Sequence, residues 1–337
     1  MSETRVGIMG FGRVAREFYR LAAAAQDIEV VVVADIAKAG VLHYLLSRTG
    51  ADYGLDGNWI VHGNSRTRML RISDPHEVPW DAFDVDIVIE ATGKYRSRAL
   101  LQEHLANGAP RVLLSSLPDE PVDRIVLWGV NEGEASADDR IVSGGSQTTS
   151  AFALAVQTLD EAFGLEHASM TTIHAFTSDQ PAQDYPAEDA RRSRSAAKNI
   201  IPNSSDTPRW TELVLPHLAG KLAGYALNVP VQKGSLLDVS AVLADANFTP
   251  ESVNEAFAEV ASRKPDVVGM TNEPIVSSDV IEETRSIVVD GLATLRVEPQ
   301  LAKVLCWYDA RGHAARLLDL VRLYHSLPAG STGGDTP

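Results

Sequence analysis

The chain has 337 residues, 45% of them hydrophobic, and a net charge of −15 at pH 7. A surface this acidic repels a phosphate backbone, which argues against nucleic-acid binding. No apolar run reaches the roughly 18 residues of a membrane-spanning helix, the opening MSETRVGIMG lacks a basic and apolar leader, and the lone cysteine, Cys306, forbids an intrachain disulfide. A cytoplasmic protein is expected.

The length suits two domains of roughly 150 residues each. Residues 5–9 (RVGIM) read as a strand and residues 14–25 as an apolar helix. IEVVVV, a buried strand, runs on to Asp35. DIVIEATG (86–93), RVLLSS (111–116) and RIVSGG (140–145) are further short strands bounded by turn residues. Short apolar strands alternating with helical segments imply parallel βαβ units. Residues 148–163 then read as a helix. After it the strands lengthen and alternate: 170–176, 223–231, 236–244, 285–291 and 302–309. That pattern suits a mixed, largely antiparallel sheet with one face against helices. The polar stretch 177–200 is too long for a plain connection and is expected to be functional or an interface. A last helix is expected over 314–326 and disorder over 328–337.

Gly10-Phe11-Gly12-Arg13-Val14-Ala15 follows the first strand and opens the first helix. This is G-x-G-x-x-A. Gly10 allows a tight turn, Gly12 lets the backbone approach a pyrophosphate, and Ala15 permits close helix packing on the sheet. Asp35 stands at the end of the second strand, where a carboxylate binds a ribose 2′-hydroxyl and repels a 2′-phosphate. NAD is therefore favoured over NADP. Thr92 and Gly93, expected at the end of another strand, belong to the same cofactor edge.

VGIMGFGRVAR, EATGKY, WGVN, TTIHAFTSDQ, ARRSRSAAKNIIP, GKLAGYALNVP, VSSD and WYD occur in the order and spacing of the glyceraldehyde-3-phosphate dehydrogenases. The chain resembles that family from about residue 4 to 326. The resemblance implies an α/β protein: a Rossmann NAD-binding domain over 1–147, an α+β catalytic domain over 148–313, and a final helix, 314–327, that returns to the first domain. It also implies a homotetramer, with 177–200 as an interface loop.

The family's reaction needs a thiolate at the start of a helix, in the pattern S-C-T-T-N. This chain reads Ser146-Gln147-Thr148-Thr149-Ser150 there. An amide cannot form the acyl intermediate. The family's histidine matches His174 and is expected to face the nicotinamide. Ser146, Thr148, Thr177, Arg192 and Ser205 match positions that bind substrate or its phosphates. The family's phosphate-binding arginine is Asn228 here, a phosphate-site glycine is Asp206, the asparagine that anchors the nicotinamide amide is Ala310, and the asparagine before the first glycine is Met9. Cys306 lies outside the family's chemistry and is expected to fill the core. Two readings follow. In one, hydride moves between NAD and a small alcohol or carbonyl substrate with His174 as acid and base. In the other, the chain holds NAD without turnover as a regulatory or structural paralogue, alone or in a hetero-oligomer with an active relative.

Overall fold

In the computed structural model, which describes residues 3–48, 50, 52–177 and 180–327, the chain divides into two units. One runs as far as Gly145 and resumes at Ala314; the other is Ser146–His313. The divide falls just ahead of the expected 147/148 boundary, because Ser146 caps the helix that opens the second unit. The expected tail, 328–337, lies outside the described residues.

In the first unit β1 (Thr4–Met9) turns through two glycines into α1 (Arg13–Ala24), and β2 (Ile28–Asp35) returns parallel to β1. After α2 (Ala39–Ser47) comes a meander: β3 (Gly54–Asp56), β4 (Trp59–His62) and β5 (Ser65–Arg71) pair antiparallel, and β5 lies parallel to β2. β6 (Ile87–Glu90), β7 (Val112–Leu114), β8 (Arg124–Ile125) and β9 (Ile141–Ser143) complete the unit's sheet, with α3 (Arg98–Ala106) between β6 and β7 in the chain. Its order is β3-β4-β5-β2-β1-β6-β7-β9-β8, parallel from β5 to β8. Parallel strands are covered on both faces, which is why β2 and β6 are nearly unbroken apolar runs. Phe18, Leu46 and Ile89 belong to one core cluster; Val32, Trp80 and Val88 belong to another. β6 stops at Glu90, so Thr92 and Gly93 lie in the turn after the strand and not at its end.

The second unit opens with α4 (Gln147–Phe163), one residue earlier than expected. β10 (Leu165–Ala175) starts ahead of the expected Met170. Among the described residues between it and β11 (Ile201–Ser204) there is no helix or strand. Then come α5 (Thr207–Val214), β12 (Leu222–Val229), β13 (Ser235–Leu243), α6 (Pro250–Arg263), β14 (Val268–Thr271), β15 (Ile287–Asp290), β16 (Leu295–Val297) and β17 (Leu301–Tyr308). The sheet order is β11-β12-β10-β13-β17-β15-β14, with β16 beside β17. β10 pairs parallel with β12 and antiparallel with β13. The sheet is mixed and mainly antiparallel, as the alternating strands imply. Met170, Leu237, Val239, Val304 and Cys306 are buried on the face covered by helices, while Ile173, Leu236, Leu305 and Trp307 on the other face stay half-buried.

The last helix, α7 (Ala310–Ser326), begins four residues before the expected Ala314. From Ala314 onward it belongs to the first unit, where Leu317, Leu320, Val321 and Tyr324 join the core cluster of β1 and α1.

Candidate cofactor cleft and active site

The first unit carries a cleft at the carboxyl ends of β1, β2 and β6, where ligands of open α/β sheets bind. Gly10 turns the chain out of β1 at a φ of +86°, and a Cβ there would sit 2.7 Å from the Thr92 amide nitrogen. Both facts demand glycine. A Cβ on Gly12 would meet nothing within 4 Å, so its face of the cleft is open. No side chain caps α1, and its first turn holds no acid. A helix start of this kind suits an anion.

Asp35 is fixed at both oxygens. Oδ2 accepts from the Phe11 amide at 2.7 Å and Oδ1 from the Ala37 amide at 2.8 Å. Each oxygen keeps a second lone pair for a ribose hydroxyl. An open glycine face, an uncapped helix start and an oriented carboxylate fit a dinucleotide. Of the expected residues, Gly10, Phe11, Gly12, Asp35 and Thr92 line the cleft; Arg13, Val14 and Gly93 do not. Val14 packs its side chain on the core, which leaves its backbone for any phosphate contact. Ile36, Ile72, Ser73, Lys94 and Tyr95 also line the cleft. The last four were missed from sequence. Their signal is positional: each follows the end of a parallel strand, β5 or β6.

In the second unit α4 begins beside β10. Ser146 caps the helix: its Oγ accepts from the Thr149 amide at 3.1 Å and lies 2.8 Å from the Thr149 hydroxyl. Gln147 follows, and its Nε2 lies 2.8 Å from His174 Nε2. His174 Nδ1 is 2.5 Å from the Ala175 carbonyl oxygen. An amide nitrogen only donates and a carbonyl oxygen only accepts. His174 is therefore in the Nδ1–H form, with the lone pair of Nε2 turned to residue 147. The amide oxygen of Gln147 is buried without a hydrogen-bond partner.

Tyr308 ties the two elements together. Its hydroxyl lies 2.9 Å from Thr148 Oγ1 and 2.5 Å from Thr172 Oγ1, and its ring meets the His174 ring edge-on at 6.1 Å. Burial pushes its pKa up to about 12. Thr148, expected at a substrate position, is buried with its hydroxyl on Tyr308.

Asn228 is the in-register neighbour of His174 on β12. It is buried, and its Oδ1 accepts from Asn203 Nδ2. Ser205 Oγ accepts from the Thr207 amide at 3.3 Å, and Asp206 is exposed at the start of α5 without capping it. Thr177 donates its amide to Gln180 Oε1, and the Arg192 amide bonds Asp189 Oδ1. Ala310 is buried at the start of α7. Cys306 is fully buried, and desolvation, aided by Asp290, pushes its pKa up to about 12. It offers no thiolate.

A doubly wound sheet with a glycine turn, an uncapped helix and a strand-end carboxylate defines a dinucleotide-binding protein, here joined to a mixed-sheet domain. Residues 4–98 match the NAD binding domain of glyceraldehyde 3-phosphate dehydrogenase, and residues 146–310 match the C-terminal domain of the same enzyme. The chain is 37% identical over 329 residues to glyceraldehyde-3-phosphate dehydrogenase 2 of Bacillus subtilis (strain 168), covering 95% of this chain and 96% of that protein. It is 40% identical over 334 residues to glyceraldehyde-3-phosphate dehydrogenase of Mycobacterium avium, covering 95% and 98%. The chain belongs to the glyceraldehyde-3-phosphate dehydrogenase family of oxidoreductases, and its cofactor is NAD.

Proposed function

We propose that this protein is an NAD-dependent oxidoreductase that works without an acyl-enzyme, by direct hydride transfer between NAD and a small alcohol or aldehyde hydrate. The observation that carries the reading is the Gln147–His174 contact. The neutral imidazole directs an unprotonated Nε2 at the position where the family's nucleophile belongs. A substrate hydroxyl that takes the place of the Gln147 amide donates its hydrogen bond to Nε2. Bound NAD would take the electron pair of the breaking carbon–hydrogen bond as hydride. The hydroxyl proton passes to Nε2, and the carbonyl forms. Gln147 keeps an amide beside the reacting oxygen, and the Ala175 carbonyl stabilises the imidazolium through Nδ1–H. Phosphorylating thioester chemistry is absent on this reading, because the only cysteine is buried at position 306.

Two features favour a second reading, an NAD-holding paralogue without turnover. Asn228 and Asn203 form a neutral amide pair where the family resemblance calls for a phosphate-binding arginine. Ala310 supplies no amide to hold the nicotinamide. NADH absorbance across a panel of aldehydes and polyols separates the readings. Turnover that His174→Asn abolishes, with NAD affinity unchanged, supports the oxidoreductase. Silence across the panel from protein that still binds NAD overturns it and supports a regulatory or structural role.

A homotetramer in the cytoplasm is part of the proposal. It is supported by the half-buried sheet face that carries Ile173, Leu236, Leu305 and Trp307, and by the long polar 177–200 segment. Among the described residues no helix is long and apolar enough to cross a membrane.

A further inference from the structure

A chain of buried polar groups behind the cofactor cleft belongs to no step above. Trp80, Glu90 and His104 are each 0% exposed. The Trp80 indole N–H donates to His104 Nδ1 at 3.1 Å, and His104 Nε2 lies 3.1 Å from Glu90 Oε2. An indole can only donate, so Nδ1 of His104 is the acceptor and Nε2–H is the donor to Glu90. Glu90 Oε1 accepts twice from Thr92, from its amide at 2.7 Å and its hydroxyl at 2.5 Å. The Thr92 hydroxyl in turn accepts from the Lys94 amide at 3.1 Å. Thr92 abuts Gly10 so closely that a Cβ on Gly10 would lie 2.8 Å from the Thr92 methyl carbon. Tyr95, in the same turn, donates its hydroxyl to the Ser73 carbonyl across the cleft.

We infer that Glu90 is a positioning residue for NAD, with His104 and Trp80 as its support. All three groups that reach Glu90 donate, so both carboxylate oxygens act as acceptors and their directions are fixed. The indole locks the imidazole tautomer, the imidazole locks the carboxylate, and the carboxylate locks Thr92. Thr92 then sets the glycine turn on one side and the 94–95 wall of the cleft on the other. A fully satisfied buried network of this kind is rigid, and binding that depends on a fixed cleft loses affinity when its support loosens. Trp80, His104 and Glu90 are buried and need not touch the nucleotide; the relay reaches the cleft at Thr92, which lines it.

Glu90→Gln places amide hydrogens against donors on one side or the other, since an amide cannot accept from both Thr92 and His104. Thr92→Val removes the hydroxyl and keeps the shape. Thr92→Ser keeps the hydroxyl. NAD dissociation constants by calorimetry, and the melting temperature of each variant without nucleotide, form the test. Glu90→Gln and Thr92→Val are expected to weaken NAD about tenfold or more, the scale of a lost hydrogen bond to a charged group, while Thr92→Ser stays within about threefold of wild type. Should Glu90→Gln not fold, the half-buried Thr92 pair carries the test. NAD affinity within twofold of wild type in Thr92→Val, whatever its melting temperature, overturns the inference and leaves the relay a packing device.

Discussion

At position 147 an amide hydrogen-bonds the histidine that the family resemblance pairs with a thiol. Gln147→Cys would put a thiol at the first turn of α4, next to His174. The helix start and the imidazole lower its pKa, so iodoacetamide should label it much faster than a free thiol. Oxidation of glyceraldehyde 3-phosphate should still be missing. Asn228 brings no charge, and one lost charge-assisted contact to an anion costs about 1.5–3 kcal/mol. On the family resemblance, Asp206 would add repulsion at a phosphate site and Ala310 would leave a nicotinamide unanchored. Adding Asn228→Arg, Asp206→Gly and Ala310→Asn should restore rate stepwise. Near-normal turnover from Gln147→Cys alone would show that these departures are compensated. Asp35 makes a second residue-scale case. NAD should bind much more tightly than NADP, because this carboxylate is held by two amides at the cleft. Lys94 lines the same cleft and is a cation that a 2′-phosphate could meet. Titration of both nucleotides decides the matter; equal affinities refute the role given to Asp35.

At the scale of elements, the start of α4 depends on one cap and one clamp. Ser146 satisfies the Thr149 amide, so Ser146→Ala should cost about 0.5–2 kcal/mol, read by urea denaturation. Tyr308→Phe removes a fully buried hydroxyl shared by Thr148 and Thr172. Leaving those two hydroxyls unpaired should cost about 1–3 kcal/mol. It should also loosen the Gln147–His174 pair, visible as a shifted His174 ring resonance. Wild-type stability in Tyr308→Phe would mean that water replaces the hydroxyl. The helix was legible in the sequence, from an apolar pattern of 3.6-residue period over 148–163, but its cap at Ser146 was not. The clamp was not. Tyr308 and Thr148 stand 160 residues apart, and no local pattern marks a tyrosine in an alternating strand as a hydroxyl hub.

At the scale of the molecule, the C-terminal helix is tied back by charge as well as packing. Asp27 accepts from Arg322 at 2.6 Å and 2.9 Å. The Arg322 hydrogen bond holds the Asp27 carboxyl below its ordinary value. A carboxyl lowered in the folded state contributes stability that is present above the unfolded value of about 3.9 and lost as pH falls through the folded value. The melting temperature of Asp27→Asn should therefore sit below wild type at pH 7 and converge with it in strong acid. A constant gap down to low pH would assign the effect to something other than this ionisation. The expected homotetramer belongs to this scale too. Light scattering at micromolar concentration tests it, and a monomeric mass rules it out.

The sequence alone determined the alternation of strands and helices, the glycine turn with its distant carboxylate, and the presence of Gln147 at the position to which the family resemblance assigns a nucleophile. These are local patterns or motifs in register, and periodicity and spacing survive without coordinates. Element ends were less secure, as at Thr92 and at the start of α7, because termination depends on caps and neighbours. The edge meander β3–β5 was missed, since β3 is three exposed residues and β4 and β5 bury only Ile60, Thr67 and Met69. Only the tertiary structure decided which tautomer His174 adopts, that Thr148 serves Tyr308, and that Glu90 joins His104 to Thr92 beside the glycine turn. A hydrogen bond between groups far apart in the chain has direction and length but leaves no trace in composition or period.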